Sequence, residues 1–234
     1  MASYLETVYF RNEYGQNDYP QLLCGHIAKT YFWTGESAAG KKILDIGSGK
    51  GNHLMGFNRC GLTPCGLDKR KECLDVLKDF DIRECDIEKD PFPYPDGYFD
   101  GVFSKSVLEH VTNTDNFFRQ SLRVLRPGGV AVFMTPDWRS QHEFFWDDYT
   151  HVKAFTRKSL QNAMLINGFE DVRCDYFLQL PFVWKYPQLN LLTRLIALLP
   201  DSLKWRDREE SDFRRLIRFS KEKMLLAVGR KPHE

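Results

Sequence analysis

No CxxC pair joins any of the six cysteines, which fall at 24, 60, 65, 73, 85 and 174. Thiols scattered in this way read as small core residues of a reducing compartment rather than a disulfide frame or a metal knuckle. No run of 18 apolar residues exists either, so a membrane-spanning helix is not expected. The opening stretch "MASYLETVYFRNEYGQND" carries charges early and lacks an apolar core segment, which argues against a secretory leader and points to a cytoplasmic protein. An excess of charge of one sign is missing too. Lys and Arg number 33, Asp and Glu 32, and the formal net charge of +1 offers nucleic acid no broad attractive field. The phosphate-cradling pattern GxxxxGK[ST] is absent although Lys50 sits among glycines, and so is the dinucleotide pattern GxGxxG. Internal repeats and low-complexity tracts are also lacking.

What is present suits a soluble globular chain. There are 234 residues, 42% apolar and 28% charged, enough for one sizeable core with insertions. Residues 1–40 are aromatic-rich without strand alternation and read as an N-terminal helical segment covering the cleft, with a helix after Pro20. Regular alternation then begins. "KILDI", "TPCGLD", "DIRECDI", "YFDGVFSKS" and "GVAVFMT" read as strands, the last ended by Pro136. Helical patterns separate most of them, at 50–60, 69–80 and 114–125, the third stopped by "RPGG". Thr156 caps a further helix in "TRKSLQNAMLINGF", and "EDVRCDYFLQL" and "KEKMLLAVGR" supply two more strands. Strands separated by helices imply parallel βαβ units, with ligands at the C-terminal ends of the strands. The stretch 182–220 is too long for a hairpin loop and reads as a helical insertion within a domain spanning 41–234.

The chemistry concentrates in "LDIGSGKGNH" at the tip of the first strand. Gly47 and Gly49 permit backbone angles closed to other residues and let a ligand approach the chain, and Gly51 permits close helix–strand packing. Free amides at the following helix start suit an anionic group. Asp68, ending the second strand in "CGLDK", places two acceptors where a ribose diol can donate. Asp86, in "RECDIEK", can accept from an adenine amino group, or can serve as a turn residue with Glu88 and Asp90 nearby. Two such acids disfavour a further phosphate on the ligand.

On "LDIGSGKGNH", "GLDKR", "ECDIEKDPFPYPDGYFDGVFSKSVLEHV" and "SLRVLRPGGVAVFMTP" the sequence resembles the class I S-adenosylmethionine-dependent methyltransferases, of the small-molecule type related to ubiquinone-pathway enzymes. The resemblance is strong over 40–136 and continues more weakly to 172. It implies a doubly wound α/β fold: a seven-stranded, mostly parallel sheet with the last strand antiparallel and helices on both faces. It implies S-adenosyl-L-methionine as cofactor, with Asp45, Gly47, Ser48, Gly49 and Gly51 around its methionine part. Asp68 then falls at the ribose and Asp86 at the adenine, with Lys69, Ile87 and Ser104 also among the cofactor-binding residues.

The acceptor end is less defined. Direct transfer needs a nucleophile held in line behind the methyl, and a hydroxyl acceptor gains from a base. His110 in "SVLEHV", and His142 and His151 flanking "EFFWDDYT", are the candidate bases, with His151 preferred and Asp147 or Asp148 available to orient it. Structural roles are open for all three. Lys105 either faces an acidic acceptor or points to solvent. Glu143, Asp147 and Asp148 do not make a closed ligand set, so no metal is expected. The apolar stretch 187–200 reads as a lid or homodimer contact packed on the core, or as an interfacial helix near lipid. Arg214, Arg215 and Arg218 suit a phosphate or carboxylate, and Phe182, Trp184 and Trp205 a pocket or the core. The expected activity is methyl transfer to an oxygen or nitrogen of a small-molecule or glycan acceptor. The alternatives are a lipid-linked acceptor and a non-catalytic cofactor-binding partner subunit; nucleic acid is disfavoured.

Overall fold

The computed structural model describes residues 18–33, 38–74, 78–203 and 212–233. Trp205 and most of the N-terminal segment lie outside the described residues. Seven strands form one sheet: β1 (Lys42–Ile46), β2 (Thr63–Asp68), β3 (Asp81–Glu84), β4 (Phe99–Lys105), β5 (Leu125–Pro136), β6 (Glu170–Phe177) and β7 (Met224–Arg230). Their order is β3-β2-β1-β4-β5-β7-β6. The pairings from β3 through β5 are parallel, while β7 runs antiparallel to both β5 and β6. The expected sheet, with its reversed last strand, is the one found.

Period-two alternation sorts the strand residues onto two cores. Leu44, Val102, Ala131 and Phe133 face one, together with Phe117, Phe118 and Val124 of α4 (Thr114–Val124) and Leu160 and Met164 of α6 (Arg157–Ile166). Ile43, Phe103, Val130, Val132 and Met134 face the other, with Leu23 and Ile27 of α1 (Tyr19–Ile27) and Phe57 of α2 (Asn52–Arg59). The N-terminal helix is thus part of the second core. Trp184 joins the same layer: its ring stacks on His26 at 5.0 Å and its Nε1 donates to Leu178 O at 2.7 Å.

Local chemistry sets the boundaries. Thr156 caps α6 through a reciprocal box with Ser159, as its sequence signature predicts. The third strand ends at Glu84, earlier than the apolar reading to Ile87, because Asp86 turns the chain by accepting from Glu88 N at 3.1 Å. Helix α4 passes at Leu125 directly into β5, so "RPGG" lies within an irregular start of the strand rather than in a separate stop. Asp100 lies inside β4 and ties neighbouring elements, accepting from Lys42 N at 2.9 Å and Arg126 Nε at 2.8 Å. Between β6 and β7 the insertion is helical where described: α7 (Pro181–Lys185), α8 (Asn190–Ile196) and α9 (Asp212–Lys221). Two short helices complete the set, α3 (Lys71–Leu74) and α5 (Trp138–Gln141).

One buried carboxyl hangs the post-β5 segment on the sheet rim. Glu109 is 1% exposed, and its Oε2 accepts from Thr135 Oγ1 of β5 at 2.8 Å. Its main-chain carbonyl accepts from Val152 N at 2.8 Å and Lys153 N at 3.1 Å. Burial pushes its pKa up to about 7. A carboxyl raised in the folded state contributes stability fully below its unfolded pKa, and that contribution is lost as pH rises through about 7. Glu109→Gln keeps an acceptor for Thr135 without the ionisation. Urea unfolding at about pH 5 and about pH 8 should therefore show the stability difference moving in the variant's favour at the higher pH, by on the order of 2–3 kcal/mol. A difference independent of pH would remove the buried-carboxyl account.

Candidate functional site

The loop after β1 is drawn across the tip of β2. Gly47 N and Ser48 N both donate to Leu67 O, at 2.7 and 2.9 Å, and Gly49 N donates to Asp68 Oδ2 at 3.0 Å. Gly47 sits at φ +74°, and a Cβ there would run into the Val107 side chain; Gly49 sits at φ +52°. Gly51 then starts α2. Beneath the loop, Asp45 is 1% exposed, and its Oδ2 and the Ser48 hydroxyl are buried atoms without a hydrogen-bond partner. Burial, and then the Asp68 charge, raise the Asp45 pKa well above the carboxylate range. His53 Nδ1, from the first turn of α2, stands 3.9 Å from Asp45 Oδ2. Burial and then Lys105 push this imidazole down to about 3, so it is neutral at pH 7.

The remaining expected cofactor residues are distributed as follows. Asp68 ends β2 with its carboxylate already engaged. Oδ1 accepts from Arg70 N at 3.0 Å and Arg70 Nε at 3.1 Å, and Oδ2 accepts from Gly49 N and, at 3.4 Å, from Arg70 Nη2. Four donors match the four lone-pair sites of a carboxylate, so a ribose diol has to displace the guanidinium. Lys69 is exposed. Asp86 is a turn residue, with its Oδ2 3.6 Å from Lys89 Nζ. Ile87 packs against the first core and its carbonyl accepts from Asn116 Nδ2 at 2.9 Å. The Ser104 hydroxyl is donated to Ile46 O at 2.9 Å, so it fastens β4 to β1 instead of offering a free donor. Lys105 is half-buried, which lowers its pKa, and its Nζ lies 3.5 Å from Ser106 Oγ. Ser106 itself takes φ +57°, a strained angle for a residue with a Cβ, at the rim of the sheet.

The histidines separate into a pair and an outlier. His110 and His151 have ring centroids 4.7 Å apart. One ligand-type atom each of His110, His151 and Glu109 falls within 4.8 Å of the others. His110 Nδ1 is 2.9 Å from Thr150 Oγ1, and that hydroxyl is 2.6 Å from Asp148 Oδ1. His151 Nδ1 is 2.5 Å from Phe145 O, and its Nε2 is 4.0 Å from Asp148 Oδ2. Burial and then His151 lower the pKa of His110. His142 is exposed on the end of α5 and lines a cavity of about 240 Å³ with Ser140, Ala197 and Asp201; neither His110 nor His151 lines that cavity. Asp147 is exposed and Asp148 is the acid that joins the pair. Arg218 pairs with Glu222 at 3.0 Å. Reasoning from sequence missed His53, Glu109, Arg70 and Thr150. The first was signalled by its place in the first turn of the helix that follows the glycine loop, and Glu109 by its adjacency to His110; nothing local marks the other two.

A family model described as a methyltransferase domain matches residues 17–173. A ubiquinone/menaquinone biosynthesis C-methyltransferase of Pseudomonas putida is 34% identical over 152 residues, covering 58% of this chain and 56% of that one. A ubiquinone biosynthesis O-methyltransferase of Proteus mirabilis is 32% identical over 104 residues, covering 41% of this chain and 42% of that one. The chain thus spans about half the length of these curated relatives. Among solved structures, a SAM-dependent methyltransferase from Archaeoglobus fulgidus superposes with a TM-score of 0.62 at 18% identity, over 91% of this chain and 94% of that one, a likeness of fold. The family match runs from α1 into β6 and so takes in the glycine loop, Asp68, Asp86 and the histidine pair, well over half of the 234 residues; the chain belongs to the class I S-adenosylmethionine-dependent methyltransferases.

Proposed function

We propose that the protein transfers a methyl group from S-adenosyl-L-methionine to an oxygen or nitrogen of a small-molecule acceptor, by direct in-line attack and without a covalent enzyme intermediate. The observation that carries this reading is the pair of unspent buried atoms, Asp45 Oδ2 and Ser48 Oγ, under a loop whose glycines leave the backbone open. Buried polar atoms without partners are rare and call for a ligand's polar groups. The cofactor offers an ammonium and a ribose diol, which are donors that fit the acidic pair Asp45 and Asp68. Bound there, it supplies an electrophilic methyl on a sulfonium. Asp45 and the Gly47–Gly51 loop would hold its methionine part, Asp68 its ribose, and Asp86 with Ile87 its adenine. The quinone-pathway names of the relatives support a small-molecule acceptor. His110 and His151 stand at the rim as imidazoles suited to take an acceptor proton.

A second reading, a lipid-linked acceptor, is favoured by one observation. Leu191, Leu195 and Leu198 of the insertion are 66%, 58% and 80% exposed, with the exposed cations Lys185 and Arg194 beside them in sequence. Among the described residues no helix is long and apolar enough to cross a membrane, so contact would be with a surface. Sedimentation with vesicles of about 30% anionic lipid tests it. Wild type should pellet and the Leu191→Asp/Leu195→Asp variant should stay in solution; equal partitioning of the two would dismiss the second reading.

Calorimetry with S-adenosylhomocysteine tests the cofactor end. Asp68→Ala should weaken binding by about 1–3 kcal/mol, the cost of leaving the diol underpaired. Arg70→Ala removes the group that competes with the diol, so its affinity should equal or exceed that of wild type. Wild-type affinity in a folded Asp68→Ala variant would place the ribose elsewhere.

At the acceptor end, methyl transfer is to be screened over phenols, amines and sugars with mass detection of the product. With any acceptor so found, the variant of whichever of the pair is the base, His110→Asn or His151→Asn, should lower turnover by roughly 10²–10⁴-fold, with affinity for S-adenosylhomocysteine kept. His142→Asn should turn over at near wild-type rate. Normal turnover in both variants of the pair would leave catalysis by positioning alone, as an already neutral amine permits.

A further inference from the structure

We infer that Thr150 and Asp148 are positioning residues that hold His110 in its Nδ1–H form and so present its Nε2 lone pair as the acceptor of the substrate proton. The inference deepens the reading just given and rests on it for its catalytic part.

Asp148 Oδ1 lies 3.0 Å from Thr150 N and 2.6 Å from Thr150 Oγ1. An ionised carboxylate only accepts, so both bonds run toward it. A threonine hydroxyl has one hydrogen, and here it is given to Asp148. Toward His110 the same oxygen can therefore only accept, and it sits 2.9 Å from Nδ1. The Thr150 carbonyl, 3.3 Å from the same nitrogen, can also only accept. Two independent acceptors require a hydrogen on Nδ1. In the neutral ring Nε2 is then bare.

The same count ranks the two histidines. Phe145 O, 2.5 Å from His151 Nδ1, requires Nδ1–H there as well. His151 Nε2 faces Asp148 Oδ2 at 4.0 Å, so a proton on it is answered by a carboxylate and its lone pair looks toward negative charge. In His110 it is Nδ1 that is turned toward Asp148, through the Thr150 hydroxyl. His110 thus replaces His151, the preference from sequence, as the base. The groups that act on it are His151 and Arg70, which disfavour its charge, and Asp148 and the Thr150 carbonyl, which favour it. When the acceptor oxygen or nitrogen takes the methyl, its proton passes to His110 Nε2 and the sulfur keeps the electron pair of the broken bond. The imidazolium so formed donates through Nδ1 to Thr150, and Thr150 donates to Asp148, so the new positive charge reaches a negative one through two short bonds.

Nitrogen-15 NMR of the histidine rings reads the tautomer without cofactor or acceptor. In wild type above the imidazole pKa, His110 should show a protonated-type Nδ1 and an unprotonated-type Nε2. Thr150→Val, isosteric but without the hydroxyl, leaves only the 3.3 Å carbonyl, and an Nε2–H population should appear. Thr150→Ser should restore the wild-type spectrum. With an acceptor in hand, Thr150→Val should lower kcat by about tenfold or more and shift the acidic limb of the pH–rate profile downward, with affinity for S-adenosylhomocysteine unchanged. A wild-type His110 carrying its hydrogen on Nε2 would overturn the inference outright, even if Thr150→Val fails to fold. So would a folded Thr150→Val protein with wild-type tautomer and pH profile. Normal turnover in His110→Asn beside a wild-type Nδ1–H spectrum would retire the histidine base while leaving the hydrogen-bond assignment intact.

Discussion

A single backbone amide aimed at a buried carboxylate underlies the proposed cofactor end of this molecule. Gly49 N–H donates to Asp68, and two further amides of the same loop converge on Leu67 O. These three bonds stitch the first strand's exit to the second strand's end. They fix the entry of α2 and therefore the place of His53. They also hold Asp68 near Asp45, where the Asp68 charge adds to burial in raising the Asp45 pKa. A charge-assisted bond in a dry setting is stronger than its neutral counterpart. The proposed cofactor residues are thus the ones that hold the loop, which one set of bonds ties to the end of β2.

The opposite end is organised by a different carboxyl. Glu109 uses its side chain on Thr135 and its carbonyl on Val152 and Lys153, so a loop rich in aromatic and acidic residues is suspended from β5. His110, the next residue, and His151, one residue before the suspended amide, are brought together by that arrangement. Their proximity follows from main-chain bonds rather than from any attraction between two imidazoles.

Much of the sheet was legible from sequence because alternation and turn chemistry agree there. "TPCGLD" is β2 from end to end, and Thr156 caps the helix its signature marks. The glycine loop was legible because few other residues accept its backbone angles. The third strand was overdrawn because apolar residues continue past Glu84 while Asp86 turns the chain, a side-chain-to-backbone preference that hydrophobicity does not register. The acceptor end was legible only as a set of candidates. His110 and Thr150 lie far apart in sequence, and only folding shows that the hydroxyl is shared between an imidazole and a carboxylate. The engagement of Asp68 by Arg70 was likewise hidden, since the motif that marks the acid says nothing of the guanidinium two residues on.

The strand order carries a consequence for how the molecule assembles. β6 pairs with β7 alone, and β7 lies between β5 and β6. Until β7 arrives, β6 has no hydrogen-bonded neighbour and β5 keeps an open edge, the kind of edge that invites pairing with another chain. The whole insertion must be threaded past before that slot is filled. Loop-closure entropy grows only with the logarithm of length, so lengthening the insertion costs the finished fold little, while the unclosed edge persists for as long as the segment takes to be made and folded. Variation in this insertion is therefore constrained more by the interval of exposure than by the stability of the native sheet.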